Sequence, residues 1–239
     1  MPEVPAEVRN RLALVLDVDD LVAATRLAKE LQPFFGIAKV GLELFSAAGP
    51  DAVVALLDMG YRVFVDLKLH DIPTTVARAA RVLGGLGAGY LTMHGAGGPV
   101  MLRAGAEGLA EGAAAAGLPD PTALAVTVLT SEAHADTHVL ATRVQAALEA
   151  GCGGVVCAAS DLAYVKRLGP RLVAVVPGIR LPGADANDQG RPSTPDEAVA
   201  AGADVLVVGR TVTGARDRAG AAASVAGLVA AAATGPAPV

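Results

Sequence analysis

Tryptophan is absent, and three Tyr with four Phe bring the aromatic share to only 3%. Proteins that stack nucleic-acid bases need such side chains, so that class is disfavoured. The sequence has no Lys/Arg-rich run, and 24 acids outweigh 19 Lys and Arg, for a formal charge of -5. A general phosphate-backbone binder needs the opposite sign. No apolar run of about 18 residues passes without a charge, Gly or Pro, so no transmembrane helix is expected. The start, MPEVPAEVRN, carries early acids and no apolar core, unlike a signal peptide. Two cysteines, Cys152 and Cys157, are too few for a disulfide framework. They read as small, reduced, buried residues of a cytoplasmic protein, and no ligands for a metal site cluster near them.

Lysine is also scarce. Only Lys29, Lys39, Lys68 and Lys166 occur, while arginine is frequent and alanine makes up roughly a fifth of the chain. Each lysine therefore invites a question about its use.

What the chain does have is regular. Eight β-rich runs recur: Leu12–Asp17, Ile37–Gly41, Arg62–Lys68, Tyr90–His94, Ala123–Leu129, Gly154–Ala158, Leu172–Pro177 and Asp204–Arg210. Most are near-continuous Val, Leu and Ile, as in parallel strands covered on both faces. Helical compositions lie between them, including Leu21–Leu31, Thr75–Leu86 and His138–Ala150. Eight βα units in 239 residues predict an α/β fold, a single TIM (β/α)8 barrel spanning 1–239, with flexible ends at 1–10 and 234–239. A doubly wound open sheet fits less well, because the first strand ends in LDVDD rather than in a Gly-rich dinucleotide turn. The Gly/Pro-rich stretch 178–194 reads as a lid or binding loop.

Barrel active sites lie at the C-terminal strand ends. There the sequence places Asp17, Lys39, Asp66, Lys68, His70, Asp71, His94, Thr130, Ser131, Arg180 and Arg210. In VFVDLKLHDIPTT, strand alternation puts Asp66 and Lys68 on one face, with Asp71 close behind. Acids on both sides keep a lysine protonated, which suits it to donate a proton to a carbanion. Lys39 completes an alternating, neutral set with Asp66, Lys68 and Asp71. A structural ion-pair network would use the same residues. A magnesium site of Asp17, Asp66 and Asp71 is a third reading, disfavoured by the two ammonium groups.

A second constellation is VVPGIR with VLVVGRTVTGAR. Loops after strands seven and eight commonly hold phosphate in this fold. Gly209 permits close backbone approach, Arg180 and Arg210 offer charge-assisted contacts, and Gln189 adds a donor. Solvated surface arginines are the plainer alternative. His94 reads as a hydrogen-bonded rim residue, His70 as a turn former, and His134 and His138 as solvated. Ser131-Glu132 reads as a helix cap, with Thr130 facing the barrel mouth.

Taken together, KVGLELF, DLKLHDIPTTV, AVTVLTS, VPGIR, the DQ of NDQGR and LVVGRTVT resemble the bacterial orotidine 5'-phosphate decarboxylase family from Leu14 to about Arg216. The resemblance implies decarboxylation of orotidine 5'-phosphate to uridine 5'-phosphate, without cofactor or metal, in a homodimer whose sites are shared. It implies that Lys39, Asp66 and Lys68, with Asp71 from the partner subunit, form a charged tetrad. It assigns Asp17 and Lys39 to the ribose hydroxyls and Thr75 to a ribose contact across the interface. Thr130 would read the pyrimidine edge, Pro177 would wall the base, and Arg180, Gln189, Gly209 and Arg210 would hold the phosphate. The chain departs from the family pattern at Thr74 (commonly Asn), Val176 (commonly Thr), Thr211 (often Pro) and Gly95-Ala96 within the H-A-S-G-G motif. Two rivals remain: a metal-dependent sugar-phosphate decarboxylase or aldolase on the same barrel, and a non-catalytic nucleotide-binding barrel.

Overall fold

A computed structural model describes residues 4–130, 132, 136–183 and 190–234. Strands β1 (Leu12–Val15), β2 (Ile37–Gly41), β3 (Arg62–Leu69), β4 (Ala88–His94), β5 (Thr122–Val126), β6 (Gly154–Val156), β7 (Val173–Val176) and β8 (Val205–Val208) run parallel and close in sequence order. The closing pair aligns Ala13 of β1 with Val207 of β8. Every predicted run overlaps its strand, and five contain it; β3 extends one residue past its run to Leu69, while β4 and β5 begin earlier, at Ala88 and Thr122. Several predicted strands ended too late because the chain stays apolar after the last rung: Leu16, Val128 and Cys157 are all buried beyond it.

Side-chain alternation separates two apolar layers. Ala13, Ile37, Phe64, Tyr90, Leu124, Val175, Val205 and Val207 fill the barrel interior. Their neighbours one residue away, such as Leu12, Ala38, Val63 and Leu91, pack outward under the helices. Low in the barrel, Phe64 meets Tyr90 edge-on at 5.8 Å, and the Arg62 guanidinium lies 3.8 Å from the Tyr90 ring centre. This plug closes the N-terminal end and leaves the opposite mouth for polar groups.

The helix Leu21–Leu31 has its predicted bounds, and Asp20 caps it by accepting from the N–H groups of Val22 and Ala23. Thr137–Glu149 differs in its cap. Asp136, not Ser131-Glu132, accepts from His138 and Val139 N–H, because it directly precedes the helix with an extended backbone. Ser131 and His134 lie outside the described residues. The expectation of a loose 1–10 end is corrected for its second half. Ala6–Arg9 form a helical turn, Val8 is buried, and the Arg9 carbonyl accepts from Gly36 N–H at 2.7 Å. A short sequence of mixed polarity hid this one apolar anchor. Both cysteines are free and buried, and burial pushes each thiol up to about 12. Among the described residues, no helix is long and apolar enough to cross a membrane.

Candidate active site

One step above the apolar plug, the inward positions change character. Two residues past Ile37 comes Lys39, two past Phe64 comes Asp66, and two past Tyr90 comes Thr92. Lys39 is only 6% exposed. A buried ammonium needs compensating charge. Its Nζ lies 3.2 Å from Asp17 Oδ1 and 3.4 Å from Asp66 Oδ2. Gly41 makes room for this arrangement. A Cβ there would stand 2.7 Å from Lys39 Nζ and 2.8 Å from Asp17 Oδ1.

Asp66 faces both lysines. Its Oδ1 accepts from Lys68 Nζ at 2.9 Å and from the Thr92 hydroxyl at 2.9 Å. Burial pushes the Asp66 carboxyl up, yet Lys39 and Lys68, with these hydrogen bonds, hold it below the usual value.

Lys68 reaches this place by an irregular backbone. The β3–β4 ladder pairs Val65 with Leu91 and then Leu69 with Met93, so β3 carries a bulge. Within it Lys68 has φ +49°, the only positive φ outside glycine among the described residues. Such a conformation costs about 1–3 kcal/mol for a residue with a Cβ. Its N–H donates to the Thr92 hydroxyl at 2.9 Å.

The prediction that Asp66 and Lys68 share a face holds, but the bracketing of Lys68 by two acids of its own chain does not. Asp71 is exposed, turns back to accept from Ile72 N–H at 2.6 Å, and makes no ion pair with another described residue. The strand ends at Leu69 and a helix starts at Pro73, which carries Asp71 outside the mouth. Thr75, in the first turn of that helix, is also exposed. Among the described residues, Asp17, Asp66 and Asp71 do not converge as a metal-binding group, nor do any other three His, Cys, Asp or Glu.

Across the mouth, the loops after β7 and β8 supply the second constellation. Arg180 is buried, and burial together with the nearby Arg210 charge lowers its pKa. Both arginines line the same cavity, where two guanidiniums can receive an anion. The Arg180 Nη1 donates to the Ile179 carbonyl at 2.9 Å, and that carbonyl also accepts from the Thr211 hydroxyl at 2.7 Å. Thr211, one of the departures from the family pattern, thus links the loops after β7 and β8. At Gly209 the nearest atoms a Cβ would meet belong to Val15, at an ordinary 3.5 Å. The room that a larger side chain would take is the cavity itself.

That cavity, about 660 Å³, is walled by both constellations: Asp17, Lys39, Asp66 and Lys68 on one side, Arg180, Gly209 and Arg210 on the other. Thr130 and Pro177 line it between them, whereas Asp71 and Thr75 do not. Gln189 lies outside the described residues. His94 accepts from Ala96 N–H through Nδ1 at 3.2 Å and stacks on His70 at 5.2 Å. Burial, then Arg143, His70 and Lys68, lower its pKa, which matches a rim residue held neutral.

The sequence reading missed two residues that lie behind the site. Thr92 was legible in principle, being the inward position after Tyr90. Arg191 was not, because its partners come from distant loops. It pairs with Asp161 at 2.5 Å, both about 9% exposed, and donates to the Glu132 carbonyl at 3.1 Å. Beside it, Gly190 N–H donates to the Thr130 carbonyl at 3.1 Å.

The fold and site together define a closed (β/α)8 barrel with a lysine–aspartate array and two arginines at its mouth. The chain belongs to the Orotidine 5'-phosphate decarboxylase / HUMPS family, whose model matches residues 10–225. It is 44% identical over 230 residues to the orotidine 5'-phosphate decarboxylase of Moorella thermoacetica, covering 91% of each chain. It is 45% identical over 228 residues to that of Anaeromyxobacter sp. strain K, covering 91% of this chain and 97% of the relative. A crystal structure of orotidine 5'-phosphate decarboxylase from Lactobacillus acidophilus superposes with a TM-score of 0.78 at 31% identity, over 92% of this chain and 99% of that one.

Proposed function

We propose that this chain converts orotidine 5'-phosphate to uridine 5'-phosphate and carbon dioxide, the last step of de novo pyrimidine nucleotide synthesis, in the cytoplasm. The observation that carries the reading is the joining of two charge environments in one cavity: the Lys39–Asp66–Lys68 array and the Arg180–Arg210 pair. Family membership and curated relatives of that name support it.

In this reading the phosphate sits on Arg180, Gly209 and Arg210, with Gln189. The base lies between Thr130 and Pro177, and Asp17 and Lys39 take the ribose hydroxyls. The substrate carboxylate then enters beside Asp66, into an array already balanced in charge. The bond from C6 to the carboxylate breaks, carbon dioxide leaves, and the electron pair stays on C6. Lys68 stabilises that charge and gives C6 a proton, and the neutral amine regains one from water. Repulsion between the carboxylate and Asp66 adds ground-state destabilisation, a contested contribution beside the electrostatic one. No cofactor takes part. Phosphate binding far from C6 supplies energy that orients the base for reaction.

Asp71 and Thr75 serve the partner subunit's site in a homodimer. Supporting this, both are exposed, and Ile72 between them is an apolar side chain left 66% exposed.

An ultraviolet assay on purified protein tests the reading. Loss of orotidine 5'-phosphate absorbance, insensitive to chelator, is expected. Binding of uridine 5'-phosphate without turnover of orotidine 5'-phosphate would overturn it in favour of a binding barrel. Turnover abolished by chelator would overturn it in favour of a metal-dependent enzyme.

A further inference from the structure

We propose that Thr92 is a positioning residue for the proton donor and its carboxylate, an inference that rests on the assignment of Lys68 and Asp66 above. Thr92 is fully buried and stands on β4 between Leu91 and Met93, the two residues whose partners flank the bulge in β3. There the regular ladder is broken, and the Thr92 hydroxyl takes over. It accepts from Lys68 N–H at 2.9 Å and donates to Asp66 Oδ1 at 2.9 Å.

These two bonds do separate things. The first gives a partner to a backbone N–H that the bulge takes out of register, and it holds Lys68 at φ +49°. Released from it, the residue would relax toward a negative φ and its side chain would leave Asp66. The second fixes the carboxylate rotation. With Oδ1 shared between Thr92 and Lys68, Oδ2 is left for Lys39 at 3.4 Å. A hydroxyl is suited to this post because it accepts and donates at once without adding charge to a balanced array. Valine has the same shape and does neither. Thr92 lies outside the cavity wall, so its effect passes through Asp66 and Lys68.

The test compares Thr92→Val, Thr92→Ser and Lys68→Ala in kcat, KM and calorimetric affinity for uridine 5'-phosphate and uridine. Thr92→Val is expected to lower kcat roughly 10- to 100-fold, as small misplacements of catalytic groups do. Product affinity should change by less than about threefold, since the phosphate grip is untouched. Thr92→Ser, which keeps the hydroxyl, should restore kcat to within a few-fold. If Thr92→Val does not fold, Thr92→Ala must show the same loss. Normal kcat in the folded hydroxyl-free variant, or failure of serine to rescue, would overturn the proposal. A loss confined to stability, with kcat per folded molecule intact, would overturn it too. Near-normal turnover by Lys68→Ala would instead remove the reading on which it rests. An inactive Lys68→Ala beside an undisturbed Thr92→Val would remove only the role given to Thr92.

Discussion

Lys68 Nζ stands 2.9 Å from Asp66 Oδ1, and the lysine achieves this through a left-handed backbone inside a strand. Only an acceptor on the neighbouring strand makes that conformation tenable. Charge placement and backbone irregularity are therefore one feature of this barrel. The same array also carries a buried lysine, Lys39, whose two carboxylate partners offset its desolvation.

The phosphate-side arginines should act on binding. A hydrogen bond to a charged group contributes about 1.5–3 kcal/mol. Arg210→Ala should therefore weaken uridine 5'-phosphate binding roughly 10- to 150-fold while leaving uridine affinity nearly unchanged. Calorimetry on both ligands measures this. Equal losses for the two would contradict the placement of the phosphate.

Arg191 and Asp161 should matter to folding. Removing one member of a buried pair strands the other, at about 3–5 kcal/mol. Arg191→Ala should lower the melting temperature by roughly 10 °C for a chain of this size. The double replacement Arg191→Met with Asp161→Leu should recover much of that. A double variant no more stable than the single one would contradict the account of this pair.

Asp66 sets an expectation for pH. Its folded pKa lies below the ordinary aspartate value, through Lys39 and Lys68 acting against burial. Such a group contributes stability that is complete above the unfolded pKa and is lost as pH falls through the folded one. Across that acidic window, unfolding free energy should rise with pH, and more steeply than in Asp66→Asn. Denaturant melts at a series of acidic pH values check this. Identical slopes would contradict it.

A site shared between two subunits, as proposed for Asp71, predicts complementation. Lys68→Ala and Asp71→Ala homodimers should each be inactive, yet random mixing of their subunits leaves one intact site in the mixed dimers. Recovered activity of about a quarter of the native level is expected. No recovery after verified subunit exchange would contradict the partner role of Asp71.

Much of this was legible in the sequence. Val-rich runs at regular spacing gave the barrel, because parallel strands covered on both faces have little else to be made of. Strand-end charges gave Lys39, Asp66, Lys68, Arg180 and Arg210, because alternation and the fold's geometry point them to one mouth. The Lys68 backbone was not legible, since a bulge is a property of two strands paired and not of one read alone. Arg191 was hidden for the same reason, with acceptors on separate loops. The scarce lysines divide cleanly. Lys39 and Lys68 line the cavity, whereas Lys166 pairs with Asp204 at 2.7 Å and donates to the Leu172 carbonyl, away from it. In the proposed reaction, arginine serves where charge alone is needed at the mouth, and Lys68 serves where a proton is to be given up.

The most direct test of the central claim is turnover of orotidine 5'-phosphate by Lys68→Ala, followed by ultraviolet absorbance beside calorimetric binding of uridine 5'-phosphate. Abolished decarboxylation with product binding largely retained is the predicted result. Turnover near that of the unsubstituted protein would contradict the role of Lys68 as the group that stabilises and protonates C6.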